Sequence, residues 1–243
     1  MNKFLDIINI VKKYNDNIIL NNISFYINKS EVFSLLGVNG AGKSTLSNIL
    51  CGLKKPSSGD ILCLNESIYS NINEYKKNVG YCAQKPNLNN YTNLKDNLYF
   101  AGEVFGLSKD VILERIEFVT DLLNIKRYLD SYDFILSGGY RQRFMIARSL
   151  MHNPLFLILD EPTVGMDPHI RRELWNTIKL LKDKGMTILL TTHYLDEAEI
   201  LSDRVCFLNQ GVIELIDTPV NLLNKFKQKN LEEVFIKFLN NNK

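Results

Sequence analysis

Apolar residues recur along the chain with two different periods, and the change between them divides the chain into thirds. In the first third, Phe4 to Val11 and Ile18 to Ile27 are rich in β-branched and aromatic residues broken by Asn and Lys, the texture of short strands and turns. Val32-Phe33-Ser34-Leu35-Leu36 is a short apolar run that ends in a glycine-rich segment. Thr45 to Leu50 then takes helical spacing, and Gly52 with Pro56-Ser57-Ser58-Gly59 marks the loop that follows.

The middle third is helical in period. From about Asn93 to Leu123 the apolar positions fall on one face, with Ile112, Ile116, Val119 and Leu123 as a stripe and Ser108 as N-cap. A second helix is predicted from near Gly138 to Met151, stopping before Pro154. This stretch reads as a helical insertion in an α/β chain.

The last third returns to alternation. Leu155 to Leu159 is a continuous apolar run, as in a strand buried on both faces. Pro168 can open a helix with the stripe Ile170, Leu174, Ile178 and Leu181, and Gly185 can close it. Met186 to Leu190 is the next buried strand. Val205 to Leu208 and Val212 to Ile216 read as a hairpin around Asn209-Gln210-Gly211. A last amphipathic segment, Leu222 to Leu239, leads into Asn240 to Lys243, which are expected to fray.

Composition narrows the classes. A chain of 243 residues, 45% of them hydrophobic, can bury a core without disulfide or metal staples. Lys+Arg 29 against Asp+Glu 27 leaves a net charge of +2, which gives no support to a broad nucleic-acid surface. Cys51, Cys63, Cys82 and Cys206 form no C-x-x-C pair and have no nearby His, so reduced thiols are expected. No run approaches the ~18 apolar residues of a membrane span. Met1 to Asp6 lacks the apolar core of a signal peptide. A cytosolic chain that meets a membrane only through a partner or a surface is expected.

Two motifs carry chemistry. Gly37-Val38-Asn39-Gly40-Ala41-Gly42-Lys43-Ser44-Thr45 fits G-x-x-x-x-G-K-[ST], between an apolar strand and a helical pattern. Glycines let backbone N–H groups turn toward phosphate oxygens, and the helix opening near Lys43 adds its positive end. Lys43 is expected on the β- and γ-phosphates and Ser44 on Mg²⁺. The apolar run ending at Leu159 delivers Asp160-Glu161, where Asp160 can hold Mg²⁺ and Glu161 can polarise a water.

Between these motifs lies Leu136-Ser137-Gly138-Gly139-Tyr140-Arg141-Gln142-Arg143, and with it the chain resembles the ATP-binding cassette (ABC) transporter ATPases from about Phe4 to Thr218. The resemblance implies an α/β fold: a P-loop NTPase (RecA-like) core with an N-terminal antiparallel β subdomain and an inserted α-helical subdomain. It implies a cassette over 4–220, a helical subdomain over about 86–153 and a C-terminal amphipathic tail over 221–243. Tyr14 resembles the aromatic that stacks on adenine, and Gln84 the glutamine that senses Mg²⁺ and γ-phosphate. Asp167, in Gly165-Met166-Asp167-Pro168, lies in the likeness of the D-loop, and His193 is similar to the switch histidine on γ-phosphate. Gly37, Asn39, Gly40, Ala41, Gly42, Lys43, Ser44 and Thr45 are the implied nucleotide cradle, joined by Ser137, Gly138 and Gly139. Tyr140 departs from the family's usual Gln at that place, and His152 and His169 match nothing and are expected at the surface.

The family pattern implies ATP and Mg²⁺ and a second cassette, simplest as a homodimer that closes head to tail on ATP. It also implies transmembrane permease subunits and no nucleic acid. Glu161 is the implied general base, with His193 and Gln84 positioning water and γ-phosphate. The text from Thr163 to Pro168, His193 to Glu199, and Leu231-Glu232-Glu233-Val234-Phe235 is similar to the exporter branch that handles drugs, lipids and polysaccharides. The competing class is a soluble ABC protein acting on the ribosome or nucleic acid without transport. A single cassette, the lack of sustained heptads and the charge of +2 count against it.

Overall fold

The computed structural model describes residues 3–241. In chain order the elements are β1 (Lys3–Tyr14), β2 (Asn17–Asn28), β3 (Val32–Leu36), α1 (Lys43–Leu50), β4 (Ser58–Cys63), β5 (Glu66–Ser67), α2 (Ile72–Lys77) and β6 (Val79–Cys82). They continue with α3 (Leu94–Val104), α4 (Lys109–Leu122), α5 (Gly138–Ser149), β7 (Phe156–Asp160), α6 (Pro168–Asp183) and β8 (Thr187–Thr192). The chain closes with α7 (Leu195–Leu201), β9 (Arg204–Asn209), β10 (Val212–Asp217), α8 (Pro219–Phe226) and α9 (Leu231–Asn241). Two compact units emerge, residues 1–72 with 187–243, and residues 73–186.

The first unit holds two sheets. One is antiparallel, in the order β2-β1-β4-β5. Leu5, Ile7 and Ile10 of β1 and Leu20, Ile23 and Ile27 of β2 are buried. The step from Ile7 to Ile10 is irregular because Asn9 takes φ 50°, a left-handed value that Asn tolerates better than most residues. The other sheet is mixed: β3 runs parallel to β8 on one side and β9 on the other, and β10 pairs antiparallel with β9. Every residue of β3 and β8 is buried, as the unbroken apolar runs require of a strand covered on both faces. Phe25 stacks on Phe33 at 5.0 Å and so joins β2 to β3.

The expected single amphipathic tail is two helices. α8 stops where Lys227 turns left-handed (φ 53°), and α9 restarts with Asn230 accepting from the Glu233 N–H at 2.9 Å. Leu222, Leu231 and Val234 close a cluster over Phe207, on which Phe235 stacks at 5.4 Å. The helix continues through Asn240 and Asn241; Asn242 and Lys243, the rest of the segment expected to fray, lie outside the described residues.

The second unit pairs β6 with β7 in parallel and places α3, α4 and α5 between them in the chain. Ile112, Ile116, Val119 and Leu123 are all buried, and Ser108 precedes α4 in extended geometry without a side-chain cap. Ile170 is half-buried, while Leu174, Trp175, Ile178 and Leu181 form the buried face of α6. Leu155, expected in the strand, lies just before β7 and is exposed, because β7 begins only at Phe156.

His152 is not the surface residue that a lone, unmatched histidine suggests. Its ring stacks on Phe105 at 3.7 Å, and Nε2 sits 3.0 Å from the Val79 carbonyl. Burial pushes its pKa down to about 4, opposed by the Val79 contact and helped by the nearby Arg115 charge. His169 is exposed, as expected. The four cysteines are free thiols, and burial raises the pKa of Cys63, Cys82 and Cys206. Among the described residues no helix is long and apolar enough to cross a membrane.

Candidate functional site

The phosphate loop occupies the turn from β3 into α1. Gly40 and Gly42 take φ values of 83° and 107°, which a residue with a Cβ rarely adopts. Space imposes glycine at Gly37 as well, where a Cβ would stand 2.3 Å from the Leu208 carbonyl oxygen. Ala41 N–H closes the loop on the Val38 carbonyl at 3.1 Å. Lys43 is buried and donates from Nζ to the Gly37 carbonyl at 2.7 Å and the Val38 carbonyl at 3.3 Å. Its ammonium is therefore curled over the loop, where phosphate oxygens would replace carbonyls as acceptors. Asn39 and Ser44 are exposed, and Thr45 is half-buried.

The same unit carries Tyr14 and His193. Tyr14 ends β1 opposite Asn17, is 40% exposed, and has Lys12 and Lys54 each 5.1 Å from its ring centroid. Lys54 also donates to its hydroxyl at 2.8 Å. His193 follows the buried strand β8, is exposed, and lies 4.3 Å from the Tyr194 ring. Tyr194 N–H donates to Thr192 Oγ1 at 3.0 Å, a local turn that ends the strand and turns His193 out.

In the second unit, β7 delivers Asp160 and Glu161. Asp160 is buried, with Tyr81 Oη at 3.5 Å from its Oδ2. Glu161 leaves the strand at φ 49°, a left-handed conformation that costs a non-glycine residue about 1–2 kcal/mol. Gln84 Nε2 donates to Glu161 Oε2 at 2.8 Å. Behind them the Cys82 thiol accepts from Gln142 Nε2 at 3.3 Å, and burial together with the Asp160 charge lifts its pKa to about 12. The loop beyond Gln84 is clamped by buried Asn97, whose Oδ1 accepts from Asn89 N–H at 2.7 Å while Nδ2 donates to Thr92 Oγ1 at 3.0 Å.

Ser137 is the N-cap of α5, extended and without an intrahelical side-chain bond. Ser137 and Gly138 are exposed, and a Cβ on Gly138 would meet nothing. Gly139 is packed so closely that a Cβ would stand 2.5 Å from Ile170 Cγ2. A 12-residue helix thus presents its N–H end to solvent at Ser137 and Gly138. Tyr140 points elsewhere: its hydroxyl accepts from Arg127 at 2.6 Å, and its ring lies 4.6 Å from Tyr128. Asp167 caps α6 without a side-chain bond, before Pro168 at the first turn, and is exposed.

The expected site residues therefore fall into two sets. Tyr14, the loop from Gly37 to Thr45, and His193 belong to the first unit; Gln84, Ser137, Gly138, Gly139, Asp160, Glu161 and Asp167 belong to the second. Within them the structure joins Lys43 to its own loop and Gln84 to Glu161. Sequence reading missed Leu208, Gly211 and Tyr81, which touch these residues. The hairpin signal at Gln210-Gly211 was readable; its neighbour in space was not.

A buried parallel strand feeding a glycine loop and a helix, with a second parallel strand ending in Asp-Glu, defines a P-loop NTPase. The comparisons sharpen this. The ABC transporter family model matches residues 20–164. The Nod factor export ATP-binding protein I of Bradyrhizobium diazoefficiens is 36% identical over 234 residues, 96% of this chain and 76% of that relative. The solved ATP-binding subunit of an ABC transporter superposes with a TM-score of 0.86 at 28% identity, over 96% of this chain and 98% of its own. CbiO1 of Clostridium perfringens, described as part of an ABC transporter complex, superposes with a TM-score of 0.85 at 31% identity over 92% of each chain. The chain belongs to the ABC transporter family, as an ATP-binding subunit.

Proposed function

We propose that this chain hydrolyses ATP to drive a separate membrane permease, and that the transporter is an exporter. The observation that carries the reading is the carboxylate of Glu161, set in a left-handed turn at the end of a buried strand and oriented by the Gln84 amide at 2.8 Å. That is the geometry of a general base held for an attacking water. The export direction is supported by the relative named for Nod factor export.

In this reading, the N–H groups of Gly37 to Thr45 and the Lys43 ammonium hold the β- and γ-phosphates, and Tyr14 stacks on adenine. Ser44, Gln84 and Asp160 offer hydroxyl, amide and carboxylate oxygens, the hard donor set that suits Mg²⁺, and buried Asp160 gains most from a cation. Bound Mg²⁺ supplies charge neutralisation on the phosphate oxygens. Glu161 takes the proton of the attacking water, and His193 contacts the γ-phosphate.

The exposed N-terminus of α5 at Ser137, Gly138 and Gly139 is an anion site separate in sequence from the phosphate loop. It serves the nucleotide of a second copy of the chain, and the segment carrying Asp167 crosses the same interface between the copies. ATP then joins two cassettes head to tail, and hydrolysis parts them. Residues 4–220 form the cassette, 221–243 its tail. The helical part, about 86–153, docks the permease on the cytoplasmic face through the exposed region near Pro86 to Gly106. No nucleic acid is involved.

A pull-down of tagged Glu161→Gln from native membranes with ATP and Mg²⁺ tests this. Recovery of a multi-span permease is the expected result. Ribosomal proteins or nucleic acid without a permease would overturn the transport reading and leave ATP hydrolysis standing.

A further inference from the structure

We propose that the turn of the β9–β10 hairpin positions the phosphate loop, with Gly211 as the positioning residue; the inference rests on the nucleotide reading above. Gly211 N–H donates to the Ala41 carbonyl at 3.0 Å, and the Gly211 carbonyl accepts from Asn21 N–H at 2.8 Å. One residue thus hydrogen-bonds the phosphate loop on one side and β2 on the other. Leu208, near the end of β9, stands with its carbonyl 2.3 Å from the place of a Gly37 Cβ and its Cδ2 3.6 Å from that of a Gly42 Cβ. The hairpin and β2 together back the loop.

A trans peptide holds its C=O and N–H in opposite directions. The bond that pins the Ala41 carbonyl therefore aims the Gly42 N–H in the opposite direction within the same peptide plane. In a phosphate loop the N–H groups are what binds, so this peptide must keep its carbonyl away from the anion. Gly42 bounds it on one side with the torsional freedom of glycine, at φ 107°, and Gly40, one residue before Ala41, adds a second free hinge at φ 83°. Without the Gly211 bond that freedom includes rotations that turn a carbonyl toward the phosphate. The hairpin turn removes them before the nucleotide arrives, and the ordering need not be met from binding energy.

The other half of the brace reaches the base end of the site. β2 pairs with β1 from Lys3↔Asn28 to Tyr14↔Asn17. Tyr14 therefore rides on the strand pair that the Gly211 carbonyl holds. Only glycine meets the local demands. Its φ is 77°, and an added Cβ would stand 2.2 Å from the Ile19 carbonyl oxygen and 3.2 Å from Leu20 Cα. Gln210, also left-handed at φ 45°, makes no hydrogen bond to the loop and serves as the control.

The test uses the full chain as wild type, Gly211→Ala, Gln210→Ala and Lys43→Ala, with Kd for MgATP from calorimetry and KM and kcat from steady-state hydrolysis. Gly211→Ala should raise Kd and KM about tenfold or more, as expected when a misaimed phosphate-loop N–H no longer reaches its charged acceptor, with a much smaller change in kcat. Gln210→Ala should stay within about twofold, the range of ordinary surface substitutions. Should Gly211→Ala fail to fold, hydrogen exchange on the wild type carries the test, and the Gly211 amide should exchange more slowly when MgATP is added. Wild-type affinity in Gly211→Ala would overturn the proposal. So would a Gly211 amide indifferent to MgATP while the phosphate-loop amides slow. Wild-type ATP binding by Lys43→Ala would overturn the nucleotide assignment itself, so the two failures are separable.

Discussion

Gln84 donates its amide to Glu161 across 2.8 Å, and the register of β6 against β7 puts them there. Cys82 pairs with Leu159 in that parallel ladder, so Gln84 and Glu161 each stand two places beyond this pair and level with one another. The hydrogen bond holds one carboxylate oxygen and turns the group as a whole, which a mobile base at a strand end would lack. Glu161→Gln removes the proposed proton acceptor while keeping the shape. It should bind ATP, accumulate as an ATP-bound dimer, and lower kcat by about 10²–10⁴-fold in phosphate release. Gln84→Ala should lower kcat less than Glu161→Gln does. A Glu161→Gln variant that hydrolyses at the wild-type rate would take the base role away from this residue.

Lys43 is curled onto the Gly37 and Val38 carbonyls within hydrogen-bond distance. Its Nζ needs only to exchange those acceptors for phosphate oxygens. Lys43→Ala should weaken MgATP binding by about tenfold or more, read by calorimetry, because charge-assisted bonds are the strong ones.

The open N-terminus of α5 is the second anion site of the proposed function. Ser137→Arg fills the space beside Gly138, where nothing now stands within 4 Å of an added Cβ. The variant should bind ATP as a monomer at close to wild-type affinity and fail to dimerise with MgATP in light scattering. An ATP-dependent dimer of Ser137→Arg would rule out a site shared between two copies.

His152 makes stability depend on pH. Its folded pKa lies near 4, below the ordinary 6.5, so the native fold favours the neutral ring and the unfolded chain takes up the proton first. The contribution is complete above pH 6.5 and is lost as pH falls toward 4. With the ring partly exposed, it amounts to roughly 2 kcal/mol. His152→Phe, which keeps the stack on Phe105, should flatten the fall of Tm over that window. A Tm that drops with acid as steeply as in the wild type would place the sensitivity elsewhere.

Local chemistry was legible because it is written in consecutive residues. The unbroken run Val32 to Leu36 is β3 to the residue, and the hairpin around Gln210-Gly211 forms as its turn signal predicts. The stripe Ile112, Ile116, Val119 and Leu123 is buried as its spacing requires. Other features were out of reach for equally physical reasons. His152 has no periodic neighbour, and its burial depends on Phe105 and Val79, which the chain brings from other elements. The tail reads as one amphipathic stripe because the left-handed turn at Lys227 breaks the helix without breaking the pattern of apolar residues. Leu155 reads as strand because hydrophobicity marks a run of residues and not its hydrogen-bonded ends.

The sequence by itself determined the phosphate loop, the acids at the end of β7, the Ser-Gly-Gly start of α5 and the alternation of strand and helix. These follow from torsional freedom, dipoles and periodicity, all of which act over a few residues. Tertiary structure alone decided the contacts that hold them. Gln84 meets Glu161 only through the β6–β7 register. Gly211 meets Ala41 only because the hairpin turn folds back to the loop, and Gly139 must stay small only because Ile170 packs against it. Such contacts join residues distant in the chain through packing and hydrogen bonds that no local pattern encodes.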